Sequence, residues 1–281
     1  MKVLVTGNKG FIGTYVQKFF EDLGYEVIGC DLKDNGLDVN YLTNYYTGDI
    51  DMIVHCASFC FIRECIKDPE VSFVNNVSGT YRVFEFARMN GIKKIIYFSS
   101  SRVLENESNV YTASKKYGED LAKAYKQCYG INYIIIRPST VYGDGDTTDR
   151  IVPRFIRNAL ENKDIIIYGD KHKTLDLTYI KDFMKAFNLI LFYGGWNNEY
   201  NISNKIPVSI QQLSMFIRDT VGSKSQIKYE RSELAQPQQV CVDNTDLQHL
   251  GYKLSYSWED GILQTIKWMK ENETGKEKTK V

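Results

Sequence analysis

The 281-residue chain has no excess of either charge: 35 Lys+Arg stand against 35 Asp+Glu. Nothing in that balance marks a nucleic-acid binder or a membrane-surface protein. No apolar run approaches the length of a membrane span, and the N-terminus lacks a signal-peptide layout, since Met1-Lys2-Val3-Leu4-Val5 runs straight into a strand pattern. The six cysteines, Cys30, Cys56, Cys60, Cys65, Cys128 and Cys241, lack paired CxxC spacing. A chain of this length needs no disulfide staples, so a reducing cytoplasm fits. His55, Cys56, Cys60 and Cys65 lie close in sequence but lack the tight ligand pairs of structural zinc sites, and no metal is expected; they read as a strand end followed by a semi-buried loop. Internal repeats and low-complexity linkers are also missing.

What is present is core-forming. Hydrophobic residues make up 43% of the chain, enough for a nucleotide-binding domain with a smaller companion. Apolar runs alternate with helical periods through the first half, the pattern of a parallel sheet flanked by helices. Strands are expected at Lys2–Thr6, Glu26–Cys30, Met52–Cys56, Lys94–Ser99 and Tyr133–Arg137. Helices are expected at Phe11–Leu23, at Val71–Asn90 before Gly91, and at Tyr111–Tyr129 before Gly130. The second half reads as helices at Ile151–Asn162, Lys181–Phe192, Ser209–Val221 and Trp258–Glu271, with short strands at Ile165–Tyr168 and Glu199–Ile202. The charged tail Glu271–Val281 is expected to fray.

Thr6-Gly7-Asn8-Lys9-Gly10-Phe11-Ile12-Gly13 follows the first strand and opens the first helix. Residues without a Cβ let backbone amides approach a pyrophosphate at a helix N-terminus. Three glycines alone are a weak signal; their place between strand and helix strengthens it. Asp31 ends the second strand, 18 residues after Gly13. A carboxylate there accepts hydrogen bonds from ribose hydroxyls and repels a 2′-phosphate, which favours NAD over NADP. Lys9 and Lys33 pull the other way, because either ammonium can approach a 2′-phosphate. Asp38-Val39 suits an adenine contact, although a solvated loop acid explains Asp38 nearly as well.

Tyr111 and Lys115 stand at i and i+4 of one helix. A free tyrosine titrates near pH ~10, too high for a base at neutral pH, and a nearby ammonium lowers that value. Such a pair is common on ordinary helices. Ser99-Ser100-Ser101 closes a strand, where a hydroxyl faces the ligand crevice of a parallel sheet; three serines are equally ordinary as turn residues.

Together these residues resemble the extended short-chain dehydrogenase/reductase family, in particular its NAD-dependent sugar-nucleotide epimerase/dehydratase group. The resemblance covers nearly the whole chain, with its pieces in family order. They are the Thr6–Gly13 loop, Asp31, Ile53-Val54-His55-Cys56-Ala57-Ser58, Asn76-Val77-Ser78-Gly79-Thr80, Ser100, Tyr111 and Lys115. Arg137-Pro138-Ser139-Thr140-Val141-Tyr142-Gly143, Tyr168-Gly169-Asp170, the segment Asp176–Asp182 and Asn201-Ile202-Ser203 complete the set. The resemblance implies an α/β fold: a Rossmann-like doubly wound parallel sheet with a smaller, mainly helical substrate domain built from C-terminal insertions. The expected division is 1–142 plus 176–203 for NAD and 143–175 plus 204–281 for substrate. Carried over, Tyr111 is the acid/base, Lys115 binds the nicotinamide ribose and tunes Tyr111, and Ser100 orients the reacting oxygen. Ser100 is chosen because it lies three residues before Val103, where the family has Val-Tyr-Gly; Leu104 and Glu105 replace that Tyr-Gly, so Ser101 stays open. The cofactor set is Gly7, Gly10, Phe11, Ile12, Gly13, Asp31, Leu32, Asp38, Val39, Cys56, Ala57, Ser58, Asn76, Ser99, Tyr111, Lys115, Pro138 and Val141. Asn76 supports the serine loop or the cofactor, while Pro138 and Val141 line the nicotinamide pocket. The resemblance also implies a homodimer through the helices Val71–Asn90 and Tyr111–Tyr129; Phe73, Tyr81, Phe84 and Tyr125 suit that face or the sheet equally.

The departures narrow the reaction. The dehydratases place Asp-Glu after their catalytic Thr, where this chain has Ser101-Arg102, so dehydration is not expected. Cys60 and Cys65 lie in the loop used by epimerase-reductases, but His172 sits in a different motif. The family often has Arg before the Asp at position 176, where this chain has Leu175, and Asn where it has Thr140. Lys173 or Arg231 can supply the lost charge, although each reads more simply as a solvated surface cation. The substrate set is thus Ser100, Ser101, Thr140, Lys173 and Arg231. Three readings stand: a sugar-nucleotide C4 epimerase holding NAD, an NAD(P)H-dependent 4-ketoreductase or dehydrogenase, and a non-catalytic dinucleotide-binding sensor.

Overall fold

The computed structural model describes residues 1–34, 36–46, 48–105, 109–231 and 242–273. Cys241 and the tail beyond residue 273 lie outside the described residues. The chain divides into two compact units, Met1–Pro138 with Phe187–Asn201, and Ser139–Ala186 with Ile202–Val281.

The first unit is built on strands β1 (Lys2–Thr6), β2 (Glu26–Cys30), β3 (Met52–His55), β4 (Lys94–Phe98) and β5 (Asn132–Pro138). They pair in parallel in the order β2-β1-β3-β4-β5, and Asn198–Ile202 closes the sheet beside β5. The apolar runs of β1, β3, β4 and β5 are buried because helices cover the sheet, while the edge strand β2 is only partly buried. Leu4, Ile53, Ile95 and Ile135 pack with Val83, Phe84 and Ala87 from the helix Gly79–Met89 and with Ala122 from the helix Val110–Tyr129. The chain passes from β2 on one side of β1 to β3 on the other. The resulting switch point lies at the carboxyl ends of β1 and β3, the place where open α/β sheets bind ligands.

Local signals set the helix ends. The side chain of Asn109 accepts from Thr112 N at 3.0 Å and starts the helix Val110–Tyr129; Gly130 ends it in the left-handed region at φ 68°. The expected continuous helix Val71–Asn90 is instead three segments: Pro69–Ser72, a π-helical turn Phe73–Ser78, and Gly79–Met89. A π-helical turn takes in one more residue than an α-helical one, and the α-helical period used to read Val71–Asn90 has no place for it.

The second unit holds more structure than the short strand and helices read from its sequence. Strands β6 (Thr140–Tyr142), β7 (Ile165–Tyr168) and β8 (Thr174–Tyr179) precede β9, the Asn198–Ile202 strand already placed beside β5. After it come β10 (Pro207–Ser209) and β11 (Ile227–Glu230). β8 pairs parallel with β6 and antiparallel with β10, while β7 pairs parallel with β11. Segments 139–142, 176–186 and 202–203, which the sequence reading places with the first domain, fall within the second unit; there β6 and β8 pair with each other and not with the large sheet. The carboxylates of the Asp176–Asp182 motif are buried loop anchors. Asp176 accepts from the amides of Asn204 (2.9 Å) and Lys205 (3.3 Å), and Asp182 from those of Ser255 and Tyr256 (both 3.0 Å). Helices Ile151–Leu160, Ile210–Val221, Thr245–His249 and Trp258–Glu273 also belong to this unit, the second opened by a capping box between Ser209 and Gln212.

Candidate active site

The loop after β1 shows why Gly7 and Gly13 cannot be replaced. Gly7 has φ +70°, and a Cβ there would lie 2.7 Å from Ala57 N, in the loop after β3. A Cβ on Gly13 would lie 1.9 Å from Gly7 O. The helix Phe11–Asp22 starts at Gly10 with no side-chain cap, so its first-turn amides are not taken up by a capping side chain. A glycine-cradled, uncapped helix N-terminus is a site made for a pyrophosphate.

Asp31, just past β2, accepts from Lys9 N at 3.0 Å and Lys33 N at 2.8 Å, which fixes its carboxylate beside the glycine loop. Lys9 itself reaches Asp34 at 3.5 Å. Asp38 uses Oδ1 to cap the short turn Val39–Tyr41 through Asn40 N at 2.9 Å; Val39 is buried and Leu32 exposed.

Around Tyr111 and Lys115 the elements lock together. Both side chains are buried on the helix Val110–Tyr129, Lys115 at 3% exposure. Lys115 Nζ donates to Ser58 Oγ at 3.3 Å, and Ser58 Oγ donates to Asn76 Oδ1 at 3.1 Å. Asn76 also accepts from Phe59 N (2.8 Å) and donates to Phe59 O (3.0 Å) and Ser114 Oγ (3.1 Å). Ser114 Oγ in turn donates to Tyr111 O at 2.7 Å. Asn76 thus supports the loop after β3 and the tyrosine helix; the alternative expectation, support of the serine loop, finds no bond among the described residues. Burial pushes the Lys115 ammonium down to about 8.

The serines separate by role. Ser99 Oγ donates to Glu119 Oε1 at 2.5 Å and is tied into a buried ion cluster. Arg137 meets Glu119 through Nε at 2.7 Å and through Nη2, and also pairs with Glu199, which takes Lys123 at 2.5 Å. Ser100 caps a short turn by accepting from Arg102 N at 3.3 Å, and Ser101 lies buried within that turn. Arg102 pairs with Glu105 at 3.2 Å.

The residues that lie close in sequence around His55 have other uses. His55 Nδ1 lies 2.7 Å from Thr6 Oγ1 and its Nε2 lies 3.1 Å from Thr80 Oγ1; burial lowers the imidazole to about 3 and keeps it neutral. Cys56 is half-buried, and the desolvation of its sulfur pushes the thiol up, while Cys60 is exposed.

In the second unit, Thr140 and Val141 lie on β6 and Leu175 is buried on β8. Lys173 corrects one expectation: it is buried rather than a surface cation. Its backbone closes a turn, donating to Asp170 O and accepting from Ile210 N. Arg231 is exposed. Of the two groups left open for a dimer face, Phe73 (60%) and Tyr81 (38%) are exposed, whereas Phe84 and Tyr125 are core, Tyr125 Oη donating to Glu85 at 2.6 Å. Glu119, Tyr97 and Ser114 were not singled out from the sequence. For Ser114 and Glu119 the signal was their spacing, one residue before and four after Lys115.

The fold and this constellation define a dinucleotide-binding α/β protein. The chain belongs to the NAD dependent epimerase/dehydratase family, whose match spans residues 3–203. It is 28% identical to a putative UDP-glucose 4-epimerase of Methanocaldococcus jannaschii over 96% of this chain and 99% of that one. It is 26% identical to a dTDP-D-glucose 4,6-dehydratase of Dictyostelium discoideum, over 96% and 82%. The solved UDP-glucuronic acid 4-epimerase of Bacillus cereus, in complex with UDP-glucuronic acid and NAD, superposes with a TM-score of 0.86 at 26% identity over 96% of this chain and 99% of that chain. The family's cofactor, NAD, fits the glycine cradle, the uncapped helix start and Asp31. Among the described residues no helix is long and apolar enough to cross a membrane.

Proposed function

We propose that the protein is an NAD-dependent C4 epimerase of a sugar nucleotide. The observation that carries this reading is the burial of Tyr111 and Lys115 on one helix, with Lys115 tied through Ser58 to the loop that packs against Gly7. The amides of Gly10–Gly13 would hold the pyrophosphate, Asp31 the adenosine ribose hydroxyls, and Lys115 the nicotinamide ribose. Asp31 favours NAD over NADP. Bound NAD supplies the hydride acceptor. Tyr111, as phenolate, takes the proton of the sugar C4 hydroxyl while that carbon is oxidised, and returns it to the same oxygen when the other face is reduced. Lys115 stabilises the phenolate, and Ser100 orients the oxygen.

The competing reading is a 4,6-dehydratase, the activity named for the Dictyostelium relative. It needs a further acid and base to eliminate water, and Ser101 with Arg102, the latter paired to Glu105, stand where the family's dehydratases carry them. The test is product analysis by NMR after incubation with UDP-glucose, UDP-glucuronate and dTDP-glucose. A C4 epimer formed without net use of NADH supports the proposal. A 4-keto-6-deoxy product would establish the dehydratase, and stoichiometric NADH oxidation on a keto-sugar the reductase. A homodimer is part of this reading, with Phe73 and Tyr81 in its interface, as is a reducing cytoplasm.

A further inference from the structure

The ammonium of Lys115 stands in a dry place with little to keep it charged. Its ordinary counter-charge on the same helix, Glu119, is committed to Arg137 and Ser99. The thiols of Cys56 and Cys60 face it from the loop after β3, and His55 faces it from β3 as a neutral imidazole. Tyr111 and Glu119 are the titratable neighbours on its own helix, and Tyr97 faces it from β4. Tyr97 stands out among these. It is fully buried, its ring centroid lies 4.9 Å from Lys115 Nζ, and its hydroxyl donates to Lys115 O at 3.3 Å. His55 stacks against Tyr97 at 5.8 Å, and a Cβ on Gly118 would lie 2.2 Å from Tyr97 Oη, so the helix can pass this ring only at a glycine. The ring is therefore fixed from two sides with its π face toward the lysine.

We propose that Tyr97 is a positioning residue whose ring face holds the Lys115 ammonium in place and in its charged form. A cation within ~6 Å of an aromatic face is attracted by the ring quadrupole, most strongly where water is excluded. The hydroxyl serves a different purpose, pinning the helix backbone. The role assigned to Lys115 rests on the proposed function; its contact with Tyr97 does not.

The experiment is a titration of Lys115 in the cofactor-free protein, followed by NMR of 13C-labelled lysine and assigned by loss of the signal in Lys115→Met. In wild type the Lys115 ε-methylene should show the upfield displacement of a group over a ring face. Tyr97→Phe keeps the face and should titrate as wild type. Tyr97→Leu removes it, and Lys115 should titrate about one pH unit lower. If Tyr97→Leu does not fold, Tyr97→Met takes its place. A wild-type ε-methylene without ring displacement, a Leu or Met variant that titrates as wild type, or a Phe variant that follows the Leu variant would each overturn the proposal. Calorimetry of NAD binding is the second readout: affinity should fall several-fold in Tyr97→Leu on the alkaline side of the Lys115 titration, and little below it. An intact titration result with no effect on NAD affinity would count against the role given to Lys115, not against the contact.

Discussion

His55 shows how one buried side chain links a strand end to acid stability. Its imidazole is held at about 3, well below its ordinary 6.5, because burial excludes the charged form. As pH falls below the ordinary value, the unfolded chain takes up a proton that the folded chain refuses, so this contribution to stability is complete above about 6.5 and is lost on the way down to 3. Between about pH 6.5 and 5 the loss should be about 2 kcal/mol, and His55→Gln should lack that part of the slope. Urea unfolding of both proteins at the two pH values measures it; parallel losses would show that His55 is not the group responsible. At the reacting centre, Tyr111→Phe should leave NAD affinity nearly intact and lower turnover by about 10²–10⁴ on a confirmed substrate. Lys115→Met should weaken NAD binding and move the rising limb of the pH–rate profile upward, since phenolate is less favoured without the cation. Activity of both variants across pH, with calorimetry alongside, checks the pair. These residues were legible because their spacing is local: Tyr111 and Lys115 are one turn apart, and the glycines of the loop after β1 fall within seven residues. Tyr97 was not, because a tyrosine inside an apolar strand reads as core, and core it is; only its neighbour gives it a second meaning.

At the scale of elements, the ion cluster of Glu119, Arg137, Glu199 and Ser99 joins the tyrosine helix to β4, β5 and β9. It ties the segments that carry Ser100, Lys115 and Pro138 to one another. Arg137→Met would leave Glu119 buried without its cation, a change that costs about 3–5 kcal/mol in such settings. Thermal unfolding should show the loss, and Arg137→Lys should recover only part of it, since a lysine cannot reproduce the two-pronged contact. No window of sequence reveals this cluster: Arg137 and Glu199 are 62 residues apart. The same holds for β6, β8 and β10, whose three to six residues are too short for a period to emerge and whose pairing is set by distant partners. The parallel strands β1 to β5 were legible for the opposite reason, since each is an apolar run bounded by polar turns.

For the molecule as a whole, the ordered run of motifs was enough to anticipate the fold and the family; the two compact units part after Pro138, where β6 pairs with β8 rather than with the large sheet. The proposed dimer is tested at this scale. Light scattering at micromolar concentration should give twice the chain mass for wild type, and Phe73→Asp with Tyr81→Asp should give a monomer that keeps its circular dichroism; a monomeric wild type would remove the dimer from the reading. The π-helical turn Phe73–Ser78 carries one consequence for chain length itself. A helix advances about 100° per residue, so deleting a single residue between Ser72 and Gly79 would let the segment relax to ordinary α-helical pairing while rotating Asn76 away from Ser58, Phe59 and Ser114. The length of this stretch is thereby fixed to the residue. A library of one-residue deletions should find it among the least tolerant stretches of the chain, even where the deleted side chain, such as Phe73 or Val74, points into solvent.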